Sequence, residues 1–357
     1  MAYARFGSRL ARDAVEIAHD VECLDGGGFW AVVVTFEGDV TCVRFAQVST
    51  VERPTVQRPT VQTPTAQLPS IQPPPVPEWT PLTGDWSTSL DETAYRSGVS
   101  QIRDRIAAGE VYQVNLCRVM SHPLADDVDL AGLETIVRAG NPAPYAGRVH
   151  VPEAGLDVVS ASPEAFLTRR AGRIESRPIK GTATTMLTML AKDYAENVMI
   201  ADLVRNDLSA VCRPGTVSVD ALCAPEEHPG LAHLVTTVSG ELRPGVRWAD
   251  VLSATFPPGS VSGAPKSSAL RAIADLETVP RGPYCGAIGW VDADAGEAEL
   301  AVGIRTFWAD RDATGQRWLR FGTGAGITWG SDPAQEWAET ELKAARLIGL
   351  ASGRVGL

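Results

Sequence analysis

Between Val51 and Thr83 the chain reads VERPTVQRPTVQTPTAQLPSIQPPPVPEWTPLT, with proline every few residues and a degenerate RPTVQ repeat. Each proline fixes φ and removes an amide donor, so the stretch favours extended polyproline II and is excluded from helix interiors and central strands. We read residues 51–85 as a semi-rigid or disordered connector, with docking to a polyproline reader as the lesser alternative. Residues 1–50 are then too few for an independent domain and are expected to add strands to a main body at 86–357.

In that first piece Phe29 to Phe36 is a β-branched and aromatic run bounded by Gly26-Gly27-Gly28 and Gly38, and Val40 to Phe45 follows as its hairpin mate. Beyond the connector, Val99, Ile102, Ile106 and Ala107 fall at helical spacing within Tyr95 to Ala108, and Gly109 closes that helix. Strands are predicted at Val111 to Val119, Asp157 to Ser162, Phe166 to Arg170, Cys285 to Val291, Glu299 to Phe307 and Trp318 to Thr323. Helices are predicted at Ala191 to Leu208, Ala264 to Leu276 and Pro333 to Leu350. Strand-rich blocks broken by helices indicate an α+β fold rather than a regular βαβ series.

The 357 residues are 44% hydrophobic and 21% charged, the composition of a globular protein. No apolar run is long enough for a membrane helix and no signal-like h-region opens the chain, so a cytoplasmic location is expected. Six cysteines without CxxC spacing suggest reduced, packed thiols. A net charge of −11 argues against nonspecific nucleic-acid binding, so any anionic substrate must meet local cations.

Five histidines and no G-x-S-x-G, H-E-x-x-H or P-loop pattern leave acid and amine chemistry as the main option. Lys180 stands in Pro178-Ile179-Lys180-Gly181-Thr182, sixteen residues after Glu164 of Ser162-Pro163-Glu164. A carboxyl and an amine in one pocket act as acid and nucleophile on one small molecule. Asp193 with Glu196, and Glu336 with Glu339, are acidic i,i+3 pairs on the helices predicted at Ala191 to Leu208 and Pro333 to Leu350; such pairs usually belong to solvated faces, but if the faces meet they form an oxygen cage suited to Mg²⁺. Gly322-Thr323-Gly324-Ala325-Gly326-Ile327 reads as a small-residue turn whose amides can approach an anion. Arg305, within an apolar strand, needs a carboxylate or ligand partner.

These residues lie in motifs that resemble the chorismate-utilising enzymes, a family that includes anthranilate synthase component I, aminodeoxychorismate synthase component I, isochorismate synthase and salicylate synthase. The resemblance runs collinearly from Leu90 to Leu350 through GEVYQVNL, SASPEAFL, RPIKGT, ENVMIADLVRNDL, HLVTTVSGEL, FPPGSVSGAPK, YCGAIGW, IRT, GTGAGI and EWAET. It implies two large antiparallel sheets packed across each other and flanked by helices. It also implies Mg²⁺ bridging the C1 carboxylate of chorismate to Glu196 and Glu339, with Asp193 and Glu336 holding metal-bound water. Tyr284, Arg305, Lys343 and the amides at Gly324 and Gly326 match positions that hold the substrate's carboxylates, and Thr182 and His233 match positions beside its ring.

Within the family, the resemblance favours the aminodeoxychorismate synthase component I branch, in which Lys180 is typical and where the other branches carry alanine. The position of the water-activating lysine of the isochorismate and salicylate branch is Gln113, which is no base. The implied reaction has Lys180 attack C2 of chorismate while Glu164 protonates the leaving C4 hydroxyl, after which ammonia adds at C4. No Cys-His-Glu glutaminase arrangement is present, so the ammonia is expected from solution or from a glutamine amidotransferase partner. Anthranilate synthase component I and a catalytically idle chorismate-binding subunit are the alternatives. Two departures from the family pattern are a short connector, eleven residues between Lys180 and Lys192, and Pro257-Pro258-Gly259 in place of Pro-Gly-Gly. No tryptophan-feedback motif is evident.

Overall fold

The computed structural model describes residues 1–50, 77–183, 185–189, 191–228 and 231–354. Most of the proline-rich connector, residues 51–76, therefore lies outside the described residues.

The first strands are β1 (Tyr3–Phe6), β2 (Arg9–Ala18), β3 (Phe29–Val34) and β4 (Val40–Thr50), followed by β5 (Ser87–Thr88), α1 (Glu92–Ala107), β6 (Gln113–Pro123) and α2 (Leu130–Gly140). Next come β7 (Tyr145–Val151), β8 (Leu156–Ser162), β9 (Ala165–Arg170), β10 (Arg173–Arg177), β11 (Ile179–Ala183), α3 (Ala191–Ser209), β12 (Ser218–His228) and β13 (Leu231–Glu241). The last third holds α4 (Trp248–Thr255), α5 (Gly259–Ser262), β14 (Gly263–Ala264), α6 (Lys266–Leu276), β15 (Ala287–Asp292), β16 (Glu297–Val302), β17 (Thr306–Arg311), β18 (Arg317–Ile327) and α7 (Pro333–Ala351).

Local chemistry explains the boundaries. Asp91 caps α1 by accepting the Ala94 amide at 2.8 Å, and Gly109, at φ +77°, turns the chain out of it. Asp332 caps α7 through the Ala334 and Gln335 amides, with Pro333 in the first turn. The β3 run FWAVVV is buried at every position, as an apolar strand covered on both faces must be.

All strand pairings are antiparallel, and the strands form one continuous hydrogen-bonded series. It runs β12-β13-β10-β9-β16-β15-β3-β4-β2-β1-β7-β8-β17-β18-β6, with β11 beside β13 and both β5 and β14 beside β6. The two expected sheets are thus two halves of one series joined through β1. The halves face each other across a core that mixes Phe29, Trp30, Val32 and Trp290 of one with Val149, Val158 and Val119 of the other. Helices α2 and α7 cover β8, β17 and β18, while α1 and α6 pack on β6. Helix α3 lies on β11, β12 and β13.

Two expectations need correction. Glu299 to Phe307 is not one strand: β16 ends at Val302, and Arg305, at φ +52°, occupies the break before β17. The GTGAGI segment is not a turn: it is the second half of β18, paired residue for residue with β6 from Gly322↔Val119 to Ile327↔Val114. Its glycines serve close approach, which pattern reading mistook for turning. A Cβ at Gly322 would overlap the Tyr284 ring, and one at Gly324 would stand 2.6 Å from Cys117 Sγ. Gly322→Ala is accordingly expected to cost about 3 kcal/mol in urea unfolding, since overpacking a fixed ring forces backbone movement; a loss below 1 kcal/mol, in line with ordinary surface changes, would contradict this.

Candidate active site

The PIKG segment brings β11 against the start of α3. Gly181, at φ +85°, leaves no room for a Cβ between its backbone and Asp193 Cβ, which would stand 2.8 Å away. Asn197, buried one residue beyond Glu196, donates to the Lys180 carbonyl at 3.2 Å and to the Leu234 carbonyl at 2.9 Å, so one amide pins α3 to both β11 and β13. Nothing in the sequence beyond its place in ENVMIADLVRNDL marks Asn197 as buried.

Lys180 points toward β18 and β6. A Cβ on Gly326 would stand 3.2 Å from Lys180 Nζ and would overlap the Gln113 amide, so amine and amide share one spot over that glycine. Burial pushes the Lys180 amine below its ordinary value and the Lys343 ammonium adds to this, against the pull of Glu196, Glu164 and Glu339. Gln113 is fully buried, and its Oε1 has no hydrogen-bond partner among the described residues. A buried acceptor without a donor is costly, and here it marks a place for a ligand N–H.

Glu164, 3% exposed, sits between β8 and β9. Burial raises its carboxyl to about 7, against a hydrogen bond from Ser260 and the nearby Lys180 charge, which lower it. Ser260 Oγ donates to Glu164 Oε1 at 2.5 Å, and the Glu164 backbone is fixed by Ser162 Oγ and the Val302 amide. Ser260, 96 residues away in FPPGSVSG, carried no signal in the sequence beyond its place in that motif.

The acidic pairs face the same cluster. Glu196 is raised by burial, with Lys180, Lys192, Asp193 and Glu339 all acting on it. Burial also opposes ionisation of Glu339, but Lys343, Lys192 and Lys180 win, and its carboxyl is held low. Glu336 is buried and raised, with Ser331 donating to it. Lys343 Nζ pairs with Glu339 Oε1 at 2.7 Å and donates to the Gly324 carbonyl at 3.0 Å, tying α7 to β18.

Oxygen donors of this kind suit Mg²⁺. Among the described residues no three acidic, histidine or cysteine side chains are drawn close enough to enclose an ion, and Glu339 spends one oxygen on Lys343. The donor set fits the ion in kind, and Glu339 can offer it the oxygen that Lys343 does not hold.

Arg305 is half-buried and makes no ion pair with a described residue; burial and the Arg346 charge both push its pKa down, which makes the spot receptive to an anion. His233 is buried on β13, opposite Thr182 of β11; the Thr182 side chain lies outside the described residues. Tyr284 is buried against Gly322 of β18, and burial together with Cys117 and Cys285 raises its hydroxyl pKa.

A buried amine, a carboxyl raised toward neutrality, carboxylates from two helices and the Arg305 guanidinium make up the candidate active site. The chain belongs to the chorismate-binding enzyme family, whose model matches residues 28–349. It is 37% identical over 270 residues to anthranilate synthase component 1 of Saccharolobus solfataricus, covering 72% of this chain and 62% of the relative. It is 36% identical over 279 residues to aminodeoxychorismate synthase component 1 of Klebsiella aerogenes, covering 75% and 60%. The chain thus aligns with somewhat under two thirds of the length of these relatives. In fold it is similar to a putative 2,3-dihydroxybenzoate-specific isochorismate synthase of Bacillus anthracis, with a TM-score of 0.77, 23% identity and coverage of 98% and 96%. It is likewise similar to anthranilate synthase component I of Streptococcus pneumoniae, with a TM-score of 0.76, 23% identity and coverage of 96% and 92%. Among the described residues no helix is long and apolar enough to cross a membrane.

Proposed function

We propose that this chain is an aminodeoxychorismate synthase component I, which converts chorismate and ammonia to 4-amino-4-deoxychorismate through a covalent lysine adduct. The relatives divide between two activities at nearly equal identity, so the weight falls on one observation: the Lys180 amine, lowered by burial, in the same cluster as the Glu164 carboxyl raised to about 7. A buried amine whose basicity is lowered and a buried carboxyl whose pKa is raised are the kinds of reagent that an addition with loss of hydroxyl requires.

Lys180 Nζ attacks C2, both ring double bonds shift by one position, and the C4 hydroxyl leaves as water with the Glu164 proton. Ammonia then attacks C4, both double bonds return and the bond to lysine breaks. Gln113, whose amide shares the spot over Gly326 with the Lys180 amine and whose Oε1 has no partner among the described residues, is the side chain to accept an N–H of the incoming ammonia. Arg305 and Lys343 supply positive charge for the substrate's carboxylates. Glu196 and Glu339, backed by Asp193 and Glu336, are the residues to hold Mg²⁺, which supplies charge to anchor a substrate carboxylate. The ammonia is supplied by a glutamine amidotransferase subunit, and added ammonium salt substitutes for it.

The test is incubation of the purified chain with chorismate, Mg²⁺ and ammonium at mildly alkaline pH, with the product identified by mass and by its conversion with an added lyase. 4-Amino-4-deoxychorismate is expected. Anthranilate with pyruvate would assign the other ammonia-using activity, and no turnover would leave a chorismate-binding subunit. Glu339→Ala is expected to abolish Mg²⁺-dependent turnover with the fold intact by circular dichroism; full activity in that variant would remove Glu339 from the ion's site.

A further inference from the structure

A fully buried arginine outside the lysine–carboxylate cluster grips two of the segments that build it. Arg281, 1% exposed, donates from Nη1 to the Val261 carbonyl at 2.9 Å and from Nη2 to the Asn115 carbonyl at 2.7 Å. Val261 follows Ser260 in α5, and Asn115 lies two residues from Gln113 in β6. Glu277, at the end of α6, accepts from Nε and Nη2 of Arg281 at 2.8 and 2.6 Å, so the guanidinium is held in a bidentate pair. The same Glu277 accepts the Cys117 amide at 2.8 Å. The pair therefore meets β6 at Asn115 and Cys117 as a neighbouring strand would, between β14 at Gln113–Val114 and β5 at Met120–Ser121.

Further contacts fix this arginine in place. The Phe36 ring lies against its guanidinium at 4.1 Å, and Glu37 accepts the amides of Arg281 and Gly282 at 2.7 and 3.1 Å. At Gly263, where the chain leaves α5, a Cβ would overlap the Gln113 carbonyl oxygen, so that segment lies hard against β6. Pairing with Glu277 answers the need of a buried cation for a partner. It does not account for the reach to Val261, and the residue before Val261 is the one on the acid: Ser260 Oγ donates to Glu164 Oε1 at 2.5 Å, with the Ile179 amide as a second donor to that carboxyl.

We propose that Arg281 is a positioning residue for the general acid: braced on β6 and Glu277, it holds the Val261 carbonyl and so keeps Ser260 Oγ on Glu164 Oε1. Glu164 has to be turned so that its proton meets the leaving C4 hydroxyl, and displacing a catalytic group by about 1 Å costs up to about 10²-fold. Helix α5 is a single turn, which has little stability of its own, and the brace to β6 supplies what the turn lacks. Phe36 and Glu37 stand in the turn between β3 and β4, so the first fifty residues support the acid through Arg281. The inference rests on the role given to Glu164 above.

The test is a double-mutant cycle in the full chain with Mg²⁺, chorismate and ammonium, with rates taken per folded molecule. Arg281→Lys keeps a charge beside Glu277 but cannot span both carbonyls from one nitrogen. It is expected to lower kcat about tenfold with KM for chorismate within about threefold, and Ser260→Ala to lower kcat by a similar factor. The double variant should stay within about twofold of Ser260→Ala, because both act through one hydrogen bond, whereas independent effects would multiply to about a hundredfold. A second readout is the alkaline fall of kcat at fixed free ammonia. The Ser260 hydrogen bond favours the Glu164 carboxylate, so both single variants should move that fall to higher pH. Lys180 of β11 is the charged group acting on Glu164, and Asp207 of α3, paired with Lys266 of α6 at 2.7 Å, lines the cavity beside it. Arg281 is hydrogen-bonded to none of these, so lost stability alone leaves the pH profile where it was. Phe36→Leu removes the ring behind the guanidinium and serves if Arg281→Lys does not fold; its loss of about fivefold should likewise vanish in the Ser260→Ala background. An unchanged kcat, losses that multiply, or an unmoved pH profile overturns the proposal. A wild-type chain that forms no aminated product tells instead against the function proposed above, a result visible before any variant is made.

Discussion

Lys180→Ala is expected to slow chorismate amination about a thousandfold or more while chorismate still binds, since the substitution removes the nucleophile and leaves Arg305, Lys343 and the carboxylates in place. Binding is followed by tryptophan fluorescence and turnover by product mass. In wild type, chorismate given without ammonia should leave a population of protein heavier by chorismate less one water, and the alanine variant should show none. An unchanged amination rate in the variant would remove the covalent route while leaving the family assignment untouched.

Glu164→Gln should separate catalysis from stability. Loss of the general acid is expected to cost about 10²- to 10⁴-fold in turnover. Stability should move the other way. The Glu164 carboxyl rises from 4.5 in the unfolded chain to about 7 in the fold. Between those values the unfolded chain has released a proton that the folded protein still holds, so wild-type stability falls as pH rises through the window, and the deficit is complete above it. Glutamine carries no such deficit. At pH 8 the variant is expected to be more stable by about 3 kcal/mol, and below the window the two proteins should match. Urea unfolding at pH 8 and pH 4 decides the point, and a difference that does not change with pH would refute the raised carboxyl.

Much of the scaffold was legible in the sequence because its signals are local. The Tyr95 to Ala108 periodicity, the Phe29 to Phe36 run with its Val40 to Phe45 mate, and the caps around Pro333 each lie within a few turns or strand lengths, and each appears as an element within a few residues of the expected bounds. The GTGAGI segment was misread because a glycine that turns the chain and a glycine that makes room look alike without the partner, and the partners here are Tyr284, Cys117 and Gln113. Arg305 was placed mid-strand because its left-handed backbone leaves no mark in an apolar pattern. Ser260 against Glu164, Asn197 against Lys180 and Lys266 against Asp207 join residues 17 to 96 positions apart, so no window of pattern reading holds both members.

The unbroken strand series also bears on solubility. Strands β1 to β4 bridge β15 to β7, leaving neither of those strands at an edge. A chain starting beyond the proline-rich segment would bare the ladder groups of β15, whose residues Ala287 to Val291 are all buried and apolar or glycine. An uncovered edge of that kind is a template for pairing with other molecules. The first fifty residues therefore act as a built-in guard against aggregation, and shortened forms of this protein should precipitate even where every residue of the site is retained.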